Sequence, residues 1–269
     1  MRRLLSCLIA ASCAAVLAAQ ARTTLDIYLV DVEGGNATLF VAPSGESILI
    51  DTGNGGPAAV RDGDRIMAAV KDAGLSQIDH LITTHYHGDH YGAMENVAGR
   101  IPIRDFIDHG TNVQPNPATD EFLQKVYPGL YGKSRHTVAK PGDRVAMKGV
   151  DVRVVASAGQ SLTSALPDAG GANPYCSAYK AKDPDPSENA QSVGTHYRFG
   201  RFKAVHMGDL TWNRNMTSCA HRIGWGLSIC LWCRITASQS RTQRYSCMPC
   251  SLAWRSSTTA RARADNRMR

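Results

Sequence analysis

Thr84-His85-Tyr86-His87-Gly88-Asp89-His90-Tyr91-Gly92 is the most informative run in this chain. Three imidazoles and a carboxylate fall within six residues, directly after the apolar run Ile78-Asp79-His80-Leu81-Ile82-Thr83. The apolar run predicts a buried strand, which places the cluster on the loop at its end. His85 and His87, two apart, point the same way from an extended backbone and can chelate one cation. Asp89 and His90, beyond flexible Gly88, can turn toward a second. Imidazole nitrogen with carboxylate oxygen is the donor set of zinc, with manganese and iron as competitors. Single histidines such as His80, His136 and His221 are read as ordinary core or surface residues. Four ionisable groups at this spacing are costly to order without a cation to neutralise them.

Upstream, alternating apolar positions predict strands over 25–30 and 38–41, separated by the Gly34-Gly35-Asn36 turn. A third strand over 48–50 leads into Asp51-Thr52-Gly53. Residues 57–73 have helical spacing through Val60, Ile66, Met67 and Val70 and stop at Gly74. Downstream, a short helix over 93–98 precedes a strand over 103–108, which aims His109 at the site. Residues 111–135 are polar, interrupted by Pro115, Pro117 and Pro128, and hold one helix over 119–126. An excursion of this length often covers a pocket. A hairpin-like run over 145–155 and a loop over 160–187 lead to paired strands over 192–199 and 202–207. The second ends at Gly208-Asp209, so Asp209 closes a strand as the histidine loop does. This alternation predicts an α/β protein with sheet cores covered by helices.

His85-x-His87-x-Asp89-His90 resembles the H-x-H-x-D-H signature of the metallo-β-lactamase fold superfamily. Residues 25–32, 36–41 and 47–53 resemble its opening strands and D-T-G turn, and 205–210 its later G-D motif. The segment Glu188-Asn189-Ala190-Gln191-Ser192-Val193-Gly194 looks most like the branch containing the hydrolase domain of DNA-uptake competence proteins. The resemblance covers roughly residues 25–216 and implies a four-layer αββα sandwich. It implies one or two Zn2+ ions, with Mn2+ or Fe as alternatives: His85 and His87 on the first, Asp89 and His90 on the second, Asp209 bridging. Asp89 would also orient the nucleophile, and Asp51 would support the metal loop from behind. A further histidine ligand is expected between the first motif and Asp209; His109, His136, His196 and His206 are the candidates, with His109 and His196 retained as site candidates.

The two ends of the chain differ from the body. Met1-Arg2-Arg3, the apolar run 4–18 and Ala19-Gln20-Ala21 have the form of a secretory signal peptide, so the mature protein is expected to begin near Arg22, in the periplasm or outside the cell. No later stretch is long enough for a membrane span. Of the eight cysteines, Cys7 and Cys13 lie in the signal, Cys176 stands alone in the body, and five crowd the region after Asp209. The body therefore depends on its hydrophobic core. From Thr217 onward there are nine arginines, no lysine and one acid, Asp265, so this tail exceeds the whole chain's net charge of +7. The basic balance belongs to the tail, which weighs against a long nucleic acid on the body.

A His-His-Gly after a hydrophobic strand normally follows the G-D motif in the competence branch and supplies the last ligand; no such motif follows Asp209. Past Gly224 both periodicities vanish. Permitted codons for Cys233-Arg234-Ile235-Thr236-Ala237, entered two nucleotides later, read Ser-His-His-Gly. The domain plan is thus a signal peptide over 1–21, an incomplete metallo-β-lactamase-like domain over 22–224, and a basic tail over 225–269 expected to be frameshifted and disordered. A genuine arginine-rich extension, or a zinc knot on Cys230, Cys233, Cys247 and Cys250, is the competing account of the tail. The expected function is metal-dependent hydrolysis of an ester, amide or phosphodiester, small-molecule or nucleic acid; the alternative is a catalytically impaired remnant of such an enzyme.

Overall fold

A computed structural model describes residues 22–166 and 183–211, together with the backbone of strands at 229–232 and 259–265. A first sheet begins as an antiparallel meander of β1 (Thr24–Val30), β2 (Thr38–Val41) and β3 (Ser47–Ile50). It continues in parallel through β4 (His80–Ile82), β5 (Asp105–Asp108) and β6 (Arg135–Val138). Parallel neighbours need crossover connections, and helices supply them. They are α1 (Ala59–Asp72) before β4, α2 (Gly88–Tyr91) and α3 (Met94–Ala98) before β5, then α4 (Pro117–Glu121) and α5 (Tyr127–Tyr131) before β6. A π-helical turn, Phe122–Val126, joins the last two.

The second sheet contains β7 (Arg144–Val145), β8 (Asp151–Ser157), β9 (Gln160–Ser161), β10 (Gly194–Phe199) and β11 (Phe202–His206). Two further strands lie in the tail. β12 (Ile229–Trp232) runs parallel to β11, and β13 (Thr259–Asp265) runs antiparallel to β1 along its whole length.

Alternation within the strands divides the core. Leu25, Ile27, Phe40, Ile48 and Ile50 face the second sheet and meet Val152, Val154, Tyr197 and Ala204. Phe40 and Tyr197 stack there with ring centroids 4.0 Å apart. The other face of the first sheet, with Tyr28, Leu39, Leu49, Leu81 and Phe106, packs on Ile66, Ala69 and Val70 of α1 and Met94 and Val97 of α3. Both faces of β3 and β4 are covered, which is why they read as unbroken apolar runs. Each of these large side chains contributes roughly 1.5–3 kcal/mol by leaving water. Helix, sheet and sheet are thus stacked as the αββα expectation requires; the layer expected outside the second sheet falls outside the described residues.

One expectation needs correction. Residues 117–131 form one helical run through Pro128 where a single helix over 119–126 was expected, because Pro128 occupies the first turn of α5 and its ring costs no bond there. Within the tail over 225–269 only 229–232 and 259–265 are described, as strands that each lie at a sheet edge. The signal peptide over 1–21, Cys176, and the tail cysteines apart from Cys230 lie outside the described residues.

Candidate metal centre

Three loops meet at one end of the sandwich: residues after β3, β4 and β11. Thr52 N donates to His90 O at 2.7 Å, Asn36 N to Asp89 O at 3.1 Å and Gly92 N to Gly53 O at 3.0 Å, so the histidine loop is tied by its backbone to the turns beside it. Two glycines permit this approach. A Cβ on Gly35 would lie 2.2 Å from Asp89 O, and one on Gly92 would lie 1.9 Å from Gly55 N.

Asp51 is the hub. Its backbone sits at φ 60°, a left-handed conformation that costs a non-glycine residue about 1–3 kcal/mol unless neighbours hold it. Its fully buried carboxylate accepts from Thr84 N at 2.7 Å, Thr84 Oγ1 at 2.8 Å, Asn36 Nδ2 at 2.8 Å and His90 Nδ1 at 2.8 Å. It braces the histidine loop from behind through Thr84 and His90.

The proton positions follow from these bonds. His90 donates through Nδ1, leaving Nε2 bare; that atom is buried and has no hydrogen-bond partner. It faces Asp209 Oδ1 at 3.6 Å and Asp89 Oδ2 at 3.8 Å. Thr84 Oγ1 gives its proton to Asp51 and lies 3.1 Å from His85 Nδ1, which fixes that ring. His87 Nε2 donates to Gln114 Oε1 at 3.3 Å, and its Nδ1 is hydrogen-bonded to His85 Nε2 at 3.0 Å, so the two rings are held edge to edge at the site.

His85, His90 and Asp209 offer ligand atoms within 4.8 Å of one another, all three buried. His87 and Asp89 join them from the half-exposed rim. All five expected ligands are therefore brought together, and their donor set fits a divalent ion. Burial disfavours charge on His90, but the Asp51 carboxylate, with Asp209 and Asp89 beyond it, outweighs that and raises the imidazole's pKa above the ordinary value.

The two further histidine candidates are not in the cluster. His109 is buried, but its Nε2 donates to Glu188 Oε2 at 2.8 Å. His196 lies opposite Val205 and Arg153, on the face of β10 turned away from the stacked Tyr197. Burial lowers its pKa to about 4, with Lys203 adding to the effect. Of the other two histidines, His136 donates to Asp108 at 2.6 Å and His206 Nε2 accepts from Asn36 Nδ2 at 3.1 Å. Sequence alone gave no signal for Asn36, Thr84 or Gln114. Glu188 stood inside a segment quoted only for its resemblance.

A family model described as the metallo-beta-lactamase superfamily matches residues 30–173, just over half of the chain, including Asp51 and the whole histidine motif. The chain belongs to that superfamily. Its similar proteins include the lactamase-like protein nscB of Aspergillus fumigatus, 30% identical over 149 residues that make up 52% of this chain and 38% of that protein. The nscB of Neosartorya fischeri is 29% identical over the same shares. The chain thus spans well under half the length of these curated relatives. Among solved structures, the FEZ-1 metallo-beta-lactamase of Legionella gormanii is 15% identical, covering 70% of this chain and 62% of its own, with a TM-score of 0.43.

Proposed function

We propose that this superfamily member is a metal-dependent hydrolase acting on an ester, amide or phosphodiester, with Zn2+ as the ion in one or two sites and Mn2+ or Fe as alternatives. One observation carries the proposal: the imidazoles of His85, His87 and His90 and the carboxylates of Asp89 and Asp209 converge, and the buried His90 Nε2 among them has no hydrogen-bond partner. His85 and His87 would hold one ion, Asp89 and His90 the other, with Asp209 shared. When bound, such an ion makes water nucleophilic near neutral pH and offsets charge developing on the substrate. The protein supplies the rest. Asp51 fixes the His90 ring and its tautomer, and Thr84 fixes His85. Asp89, its side chain 32% exposed, stands on the open side, where it can orient an attacking water and accept its proton.

Metal analysis of the purified chain, followed by turnover on nitrocefin, a simple phosphodiester and single-stranded DNA with added Zn2+ or Mn2+, tests this function. Stoichiometric metal and turnover of any one substrate that is lost in His85→Ala supports it; a chain that takes up no divalent metal refutes it. A second reading, an impaired remnant, is favoured by the missing His-His-Gly after Asp209. It predicts sub-stoichiometric metal and no turnover. Residues 1–21 support export to the periplasm or beyond, which the N-terminal sequence of the exported protein would check. Among the described residues no helix is long and apolar enough to cross a membrane.

A further inference from the structure

Glu188 is a fully buried carboxylate away from the ligand cluster. Its Oε2 accepts the Tyr86 amide at 3.0 Å and His109 Nε2 at 2.8 Å, and its Oε1 accepts the Val113 amide at 2.6 Å. Tyr86 stands between His85 and His87, so its peptide sets how the two imidazoles are aimed relative to each other. A second path returns to the same loop: Glu188 N donates at 3.2 Å to Gln114 Oε1, the atom that also accepts from His87 Nε2. Glu188, Gln114, His87 and Tyr86 thereby close a ring of hydrogen bonds. The carboxylate is ionised despite its burial, because His109 and the two amides more than offset the desolvation.

We propose that Glu188 is a positioning residue: it sets the mutual aim of His85 and His87 through the Tyr86 amide and couples that aim to residues 109–114, which border the site. This rests on the ligand cluster being a metal centre. The coupling gives the excursion after β5 a route to the metal loop, because displacing Val113 or Gln114 pulls on the group that fixes Tyr86. The segment that carries Glu188 continues along the same loop, where Val193 N donates to Thr84 O at 2.8 Å and Ser192 Oγ lies 3.4 Å from His85 Nδ1. An amide in place of the carboxylate retains one accepting oxygen and turns an NH2 toward a donor, so at least one of the three donors goes unanswered.

The test uses the full chain with Co2+ as the probe, comparing parent and Glu188→Gln. Chelator competition reads affinity, the visible absorption of the cobalt form reads ligand geometry, and thermal melting of the metal-free protein reads any merely structural loss. The expected result is a roughly 10- to 100-fold loss of Co2+ affinity with an altered visible spectrum. A loss smaller than about tenfold overturns the proposal, whatever happens to the melting point. Should Glu188→Gln fail to fold, Glu188→Asp, which keeps the charge but is too short to reach both amides, is judged by the same threshold. A parent chain that takes up no Co2+ overturns the metal-centre reading itself, whereas a binding parent with an unaffected variant overturns the role of Glu188 alone.

Discussion

Asp51 shows how a residue outside the ligand set can govern it. Replacing its carboxylate with an amide, Asp51→Asn, removes the charge that holds a proton or metal on His90 and the strongest acceptor for Thr84. Metal affinity is expected to fall roughly 10- to 100-fold, measured by competition with a chromophoric chelator. Because the Asp51 carboxylate raises the His90 pKa against the effect of burial, protons compete with metal for this ring, and metal uptake is expected to weaken as the medium is acidified. Asp105, at the opposite end of the strands, illustrates the reverse linkage. Burial raises its pKa, but bonds from His80, Arg135 and Thr137 outweigh this and lower it from 3.8 to about 2. A depressed carboxylate stabilises the fold above its unfolded value near 3.8, and that contribution is lost as pH falls toward 2. Asp105→Asn should therefore cost roughly 2 kcal/mol at neutral pH, with the difference from the parent vanishing near pH 2, as read by urea unfolding.

The strands and helices around the site depend on close backbone contact more than on any one side chain. Gly92→Ala would drive a methyl into Gly55 N and Gly88 O, separating the Asp51 turn from the histidine loop. It is expected to lower both the melting temperature and the metal stoichiometry, whereas Gly88→Ala, with open space around it, should lower neither. The helical run over 117–131 is docked by Tyr127, whose hydroxyl donates to Asp108 Oδ2 at 2.8 Å and whose ring packs on Phe106 and Phe122. Much of this was legible in the sequence. Helix α1 and strands β1–β4 follow from periodicity, because the helix buries one apolar stripe and the strands alternate between the cores on the two faces of their sheet. The motif also brought His85, His87, Asp89 and His90 together, since four neighbours on one loop cannot lie far apart. Asn36, Gln114 and Glu188 were not legible, because their partners lie far along the chain and no local pattern marks a long-range hydrogen bond. His109 and His196 stand apart from the cluster, because position in or beside a strand does not say which end of the sheet a ring reaches.

Across the molecule, the last described strand closes the edge that the first one opens. β13 covers β1 from Thr24 opposite Asp265 to Thr259 opposite Val30. Deleting residues 259–265 would expose that row of amides and carbonyls, and the shortened protein is expected to self-associate in size-exclusion chromatography. Resequencing the gene tests the altered frame near Gly224: a corrected frame is expected to encode Ser-His-His-Gly close to Cys233 and to yield a chain that holds more metal. An intact frame would leave the basic tail as genuine. Pairing across about 240 positions also has a temporal consequence. Synthesis delivers β1 long before its outer neighbour, so until β13 has emerged the nascent polypeptide carries an unsealed border that a chaperone can hold open. Completion of the first sheet waits for β13, and the loops that gather the histidines rest on that sheet.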